Sequence, residues 1–169
     1  MIEKQKLRKS IIEKRKTLNI EEISNILVEK IRKNQTYIDS NKVMIFYPTK
    51  YEVNLLKLLN DNKAFYLPKV FQKELLVCEF DKDTKLEKTS FNIYEPCSKS
   101  IDKNNLDLVI VPALCVDKKG YRLGYGGGFY DRFLQDFEGK TIVAIPKEFL
   151  FDSIPKENFD IKIDEIVVA

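Results

Sequence analysis

The sequence predicts an α/β fold, and three stretches carry that prediction. KVMIFYP, VNLLKLL and AFYLPKV, spanning residues 42 to 70, read in order as a buried strand, a short helix and a second strand stopped by proline. That order is the pattern of a parallel α/β unit. LDLVIVPAL, residues 106 to 114, is apolar enough to be a central strand. A glycine-rich segment, a helix and the strand TIVAIP then follow.

The elements around these stretches follow from periodicity. In KQKLRKSIIEKRKTL, Leu7, Ile11 and Leu18, with Ile12 beside them, recur at helical spacing, while Lys4 and Arg8 stand one turn apart as a cationic edge. Asn19 and Glu22 form a capping pair for a second helix, EEISNILVEKIRK, whose Ile23, Ile26, Leu27 and Ile31 keep a helical period. Residues 74 to 88 read as exposed antiparallel strands, and 95 to 105 as a polar connection. FYDRFLQDF places Phe129, Phe133 and Phe137 on one helical face, and DEIVVA closes the chain as a strand. No repeat or linker divides the 169 residues, so one domain over 1–169 is expected.

Composition narrows the chemistry. The chain has no histidine, which excludes a Ser-His-Asp triad, a Cys-His dyad and a histidine metal site. Cys78, Cys97 and Cys115 are widely spaced and form no CxxC pair, so reduced structural thiols are expected. No apolar run reaches the roughly 18 residues of a membrane span, and no signal-like segment opens the chain, so a cytoplasmic protein is expected. The net charge is +3, yet residues 1 to 16 hold seven Lys or Arg against Glu3 and Glu13. That basic segment suits a solvated helix face, a nucleic-acid surface or an anionic small molecule.

Five of the six glycines fall in GYRLGYGGGFYDRFL, which starts at Gly120. Backbone N–H groups unshielded by side chains can turn toward a phosphate, and a following helix start adds its positive dipole end, so residues 124 to 130 read as an anion cradle. No GK[ST] follows, and Phe129 stands where a dinucleotide fingerprint needs its last glycine, so neither common phosphate motif is present. The other reading is a tight turn packed under another element, which accounts for one or two glycines rather than five. Arg122, read as a loop cation that serves charge neutralisation more than packing, can pair with phosphate, and Asp131 can hold magnesium. Glu52 stands at the carboxyl end of a strand, where it either contacts a ligand or stabilises a helix start.

RLGYGGGFYDR, with KQKLR near the N-terminus and FYPTKYEVN after the first strand, resembles the 5-formyltetrahydrofolate cyclo-ligase family, also called methenyltetrahydrofolate synthetases. The resemblance spans nearly the whole chain. It implies a three-layer α/β/α fold with a central, mainly parallel sheet, and conversion of 5-formyltetrahydrofolate to 5,10-methenyltetrahydrofolate with ATP and Mg2+. Lys4, Gln5, Lys6, Leu7 and Arg8 match one nucleotide-binding stretch. Arg122, Leu123, Gly124, Tyr125, Gly126, Gly127, Gly128, Phe129 and Tyr130 match the other. Arg8, Tyr47, Glu52 and Tyr125 to Phe129 match folate-contacting positions, with Tyr47 and Phe129 either packing on the flat ring or belonging to the core. Asp131 and Asp160 match magnesium-associated positions, Asp160 on the family match alone. Arg122, Tyr125 and Asp131 are the expected catalytic residues. The implied partners are ATP and a folate, polyglutamylated or not, with no nucleic acid and no membrane, and the chain is expected to be a monomer. Pro112-Ala113 and KEFLF depart from a proline-glycine pair and a glutamine common in the family.

Overall fold

The computed structural model describes residues 2–90 and 92–169. Two helices open the chain, α1 (Ile2–Arg15) and α2 (Ile20–Arg32), followed by a short α3 (Gln35–Asp39). Asn19 caps α2 as its spacing predicts, its Oδ1 accepting from Glu22 N at 3.2 Å and its Nδ2 donating to Glu22 Oε2 at 3.3 Å.

The strands β1 (Lys42–Met44), β2 (Ala64–Phe71), β3 (Glu74–Phe80), β6 (Ser100–Ile101), β7 (Leu108–Ile110), β10 (Lys140–Ile145) and β12 (Glu165–Val168) form one sheet in the order β12-β10-β7-β1-β2-β3-β6. From β12 to β2 every neighbouring pair is parallel, whereas β3 runs against both β2 and β6. The ribbon of β4 (Leu86–Lys88) and β5 (Tyr94–Pro96) and a small sheet of β8 (Cys115–Asp117), β9 (Arg122–Leu123) and β11 (Leu150–Phe151) complete the strands.

Strand alternation sends neighbouring side chains to opposite faces. Val43, Ile45, Leu108, Ile110 and Ile142 pack with Leu27, Val28 and Ile31 of α2. Met44, Val109, Val143 and Ile145 pack with Ile11 of α1 and with Phe133 and Leu134 of α4 (Phe129–Leu134). Helices therefore cover both faces of a mainly parallel sheet, the α/β/α arrangement expected. Among the described residues no helix is long and apolar enough to cross a membrane.

Four elements differ from their sequence patterns. Strand β2 runs through Pro68 instead of stopping there. Its neighbour β1 has already ended opposite Tyr66, so on that side there is no ladder acceptor for the N–H that proline lacks. VNLLKLL yields only a 3₁₀ turn at Leu56–Asn60. Residues 95 to 105, read as a polar connection, contribute to β5 and form β6. α4 ends at Leu134, so Phe137 follows the helix, and its ring lies 6.0 Å from that of Phe133.

Candidate functional site

The site forms where the central parallel strands end. Strands β1, β7 and β10 each run into a proline on that edge, Pro48, Pro112 and Pro146, and an open α/β sheet offers its crevice there. Between β7 and the glycine loop the chain inserts the β8–β9 hairpin, so the strand does not lead directly into GYGGG. Gly120 belongs to that hairpin's turn. Its φ is +99°, and a Cβ there would sit 2.5 Å from the Ile163 carbonyl oxygen, which explains this glycine without any ligand. The remaining four form the exposed loop Gly124–Gly128, ending with Gly128 in the left-handed region at φ +69° as the N-cap of α4. With six residues, α4 supplies little dipole, so the loop's positive field has to come from side chains.

Helix α1 supplies them. Lys4, Arg8, Ile11 and Arg15 follow the i, i+4, i+7, i+11 spacing of one face, and Lys4, Ile11 and Arg15 are buried along it. Arg8 Nε donates to Gly124 O at 2.8 Å. Lys4 Nζ reaches Asp160 Oδ2 at 2.9 Å and Glu157 Oε1 at 3.5 Å. Arg15, which the sequence reading passed over, is 2% exposed. Its Nη1 donates to Tyr51 O at 3.1 Å, and its Nη2 to Ala113 O at 2.8 Å and Leu114 O at 3.0 Å. Only its place on the Lys4–Arg8 stripe could have flagged it. Ile12, expected to face inward, is exposed.

Between α1 and the loop lies an open groove of about 530 Å³, lined by Gln5, Arg8, Lys9, Ile12, Glu13, Tyr125 and Gly126. Leu7 packs into the core, and Lys6 lies exposed outside the groove lining. Tyr125 is over half exposed as a residue, yet its phenol is desolvated. Desolvation first, then the Glu52 charge, push its pKa up. Glu52 Oε1 accepts from Thr49 N at 2.9 Å and Thr49 Oγ1 at 2.7 Å, within a turn closed by Glu52 N donating to Thr49 O at 3.1 Å. That turn, rather than a helix start, is what the carboxylate stabilises locally. Tyr47 lies nearby in sequence with its ring 5.1 Å from that of Tyr94.

Behind the loop is a second polar group. Arg122 lies buried in β9 and is not a loop cation, contrary to its reading as a residue that contributes little to packing. Its Nη1 donates to Pro112 O at 3.0 Å, its guanidinium sits 5.3 Å from the Tyr130 ring centre, and burial lowers its pKa while Asp131 opposes that shift. Leu123 is buried beside it. Burial also pushes the Tyr130 phenol up. Phe129 turns away from the Phe133 row: its ring lies 5.0 Å from the Arg132 guanidinium and underlies Gly127.

Asp131 Oδ1 accepts from Ile161 N at 3.3 Å, which brings it beside the Asp160 bend, and Asp160 Oδ2 also accepts from Glu157 N at 2.8 Å. Among the described residues no three His, Cys, Asp or Glu side chains gather as a metal cage. Two carboxylates near an exposed glycine loop nonetheless suit magnesium, which ordinarily takes one or two protein carboxylates and completes its shell with other oxygen ligands.

The sequence model of the 5-formyltetrahydrofolate cyclo-ligase family matches residues 1–169. The chain belongs to that family. It is thereby an enzyme, a ligase of folate metabolism. It is 35% identical to the 5-formyltetrahydrofolate cyclo-ligase of Haemophilus influenzae over 117 residues, 64% of this chain and 63% of that one. It is 28% identical to the enzyme of that name from Mus musculus over 187 aligned residues, covering 97% and 92% of the two chains. The NMR structure of Aquifex aeolicus 5,10-methenyltetrahydrofolate synthetase superposes with a TM-score of 0.86 at 30% identity, over 98% of this chain and 89% of that one. A Mycoplasma pneumoniae synthetase of 20% identity and TM-score 0.78 shares the fold.

Proposed function

We propose that this chain converts 5-formyltetrahydrofolate and ATP to 5,10-methenyltetrahydrofolate, ADP and phosphate. The observation that carries the reading is the groove in which a helix arginine, Arg8, grips an exposed glycine loop, with Glu52 held in the turn that Arg15 of the same helix anchors. One wall suits a polyphosphate and the other a flat heterocycle with a polar edge.

The chemistry calls for alignment more than for a protein nucleophile, in keeping with a chain that lacks histidine. The formyl group on N5 is amide-like, and its oxygen leaves poorly until it is phosphorylated. That oxygen attacks the γ-phosphorus of ATP, forming a C–O–P link as the bond to ADP breaks. N10 then adds to the activated carbon and loses its proton, the five-membered ring closes, and the C–O bond breaks to release inorganic phosphate.

Arg8 and the amides of residues 126 to 128 hold the terminal phosphates, with Gln5 and Lys9 along the groove. Lys4 and Arg122 act from behind the loop, Lys4 by fixing Asp160 and Arg122 by bracing Gly124, whose missing Cβ would lie 2.7 Å from its Nη1. Glu52 accepts from the donor edge of the pterin, Tyr125 stands between the two substrates, and Tyr47 packs on the ring. Asp131, with Asp160 beside it, would hold magnesium, which when bound neutralises phosphate charge.

Absorbance of the methenyl product tests the reading. Product is expected only when folate, ATP and magnesium are all present. Formation without ATP, or none with all three, contradicts it.

A further inference from the structure

Arg15 raises a question that stability does not answer. Its guanidinium is held by three carbonyl oxygens and lies 4.8 Å from the Phe149 ring centre, and among the described residues its Nε is buried without a partner. Burying a charge without a hydrogen-bonded counter-ion is costly, and hydrogen bonds to three neutral carbonyls offset that cost only in part. What only an arginine supplies is a rigid fork that joins three separate segments.

One of them, the Tyr51 turn, carries Glu52, and another, α1, also anchors the glycine loop. Arg8 and Arg15 are seven residues apart on one helix, so they share a face and stand about 10.5 Å apart along its axis. Arg8 holds the glycine loop through Gly124 O. Arg15 holds the Glu52 turn through Tyr51 O, and the segment after β7 through Ala113 O and Leu114 O, next to the Pro112 carbonyl that Arg122 grips. Glu52 is fixed within its own turn by Thr49, so wherever the Tyr51 carbonyl is placed, the Glu52 carboxylate follows.

We propose that Arg15 is a positioning residue that sets the Glu52 turn against the glycine loop, with α1 as the fixed-length spacer between them. The inference rests on the function proposed above and deepens it. Alignment of a carbonyl oxygen with a terminal phosphate depends on this spacing, because a misplacement of an ångström costs rate steeply. Arg15 touches neither reactant; it acts through Glu52.

The test is a double-mutant cycle between Arg15→Met and Glu52→Gln. Turnover gives the KM for 5-formyltetrahydrofolate, and titration without folate gives the Kd of a non-hydrolysable ATP analogue. Arg15→Met is expected to raise the folate KM by about tenfold while changing the analogue Kd by less than about twofold. In the Glu52→Gln background the same change should cost less than about threefold, because residues acting through one another are non-additive. Equal losses for both ligands, or the full tenfold cost again in the Glu52→Gln background, overturn the proposal. Should Arg15→Met fail to fold, Arg15→Lys carries the same cycle, since it keeps the charge but loses the fork. If the parent chain leaves 5-formyltetrahydrofolate unchanged, the functional reading fails by itself. Arg15 is then judged by hydrogen exchange in Arg15→Lys: faster exchange at residues 49 to 54 with 124 to 128 unchanged supports the positioning role, and unchanged protection at 49 to 54 rejects it.

Discussion

The two N-terminal helices dock on opposite faces of one sheet by different physics. Helix α2 buries Leu27, Val28 and Ile31 against apolar strand residues, and its charged residues stay outside. Helix α1 turns Lys4 and Arg15 inward with Ile11 between them, and holds on through backbone carbonyls and two carboxylates. An apolar face adheres wherever shape allows, whereas cations on carbonyls fix one register and leave positive charge beside the groove. In this molecule α2 stabilises the fold, and α1 builds the site.

The contrast is sharpest in stability. Leu27→Ala in α2 empties a fully buried position and is expected to cost about 4 kcal/mol, lowering the melting temperature by roughly 10 °C, with activity retained well below the transition. Lys4→Met in α1 leaves Asp160 without its cation at a site where both side chains are at most 10% exposed. It should cost about 3 kcal/mol by thermal melting, and Lys4→Met with Asp160→Asn should recover part of that, as expected when an uncompensated charge is the cause. Arg8→Ala removes one hydrogen bond from a partly exposed side chain, so about 1 kcal/mol of stability is expected to go while affinity for ATP falls at least tenfold by titration. If Arg8→Ala instead melted like Leu27→Ala with normal ATP affinity, the division between the helices would be wrong.

The smallest effect concerns pH. Burial pushes the Cys115 thiol up to about 12 and raises the phenols of Tyr37 and Tyr130. The folded chain thus keeps protons that the unfolded chain releases, and stability is complete below about pH 9 and declines as pH rises toward the folded values. Cys115→Ala should flatten part of that alkaline decline in melting temperature when each variant is measured against its own value at pH 7.

The same contrast explains what could be read in advance. Apolar periodicity reports what an element buries by hydrophobicity, so α2, β7 and β10 were legible. The same rule set Ile12 of α1 and Ile26 of α2 among the apolar positions, and both are exposed, while it left the α1 cations at an edge. The partners of the two arginines are carbonyls more than 30 residues away, and carbonyls leave no mark in a sequence. The glycine loop was legible as a motif, yet Gly120 looks identical to its neighbours there, and only the approach of Ile163 O separates a turn glycine from a loop glycine. Likewise Arg122 read as a loop residue because the two-residue strand holding it is too short for any pattern.

The most direct test is a structure with a non-hydrolysable ATP analogue bound. The triphosphate should lie between Gln5–Lys9 of α1 and Gly124–Gly128, in contact with Arg8. A second cavity of about 430 Å³, at the opposite end of the strands, is lined by Asp39, Asp107 and Glu138 against one lysine, Lys140, and should stay free of phosphate. Triphosphate bound there, or anywhere out of reach of both Arg8 and the glycine loop, would contradict the account.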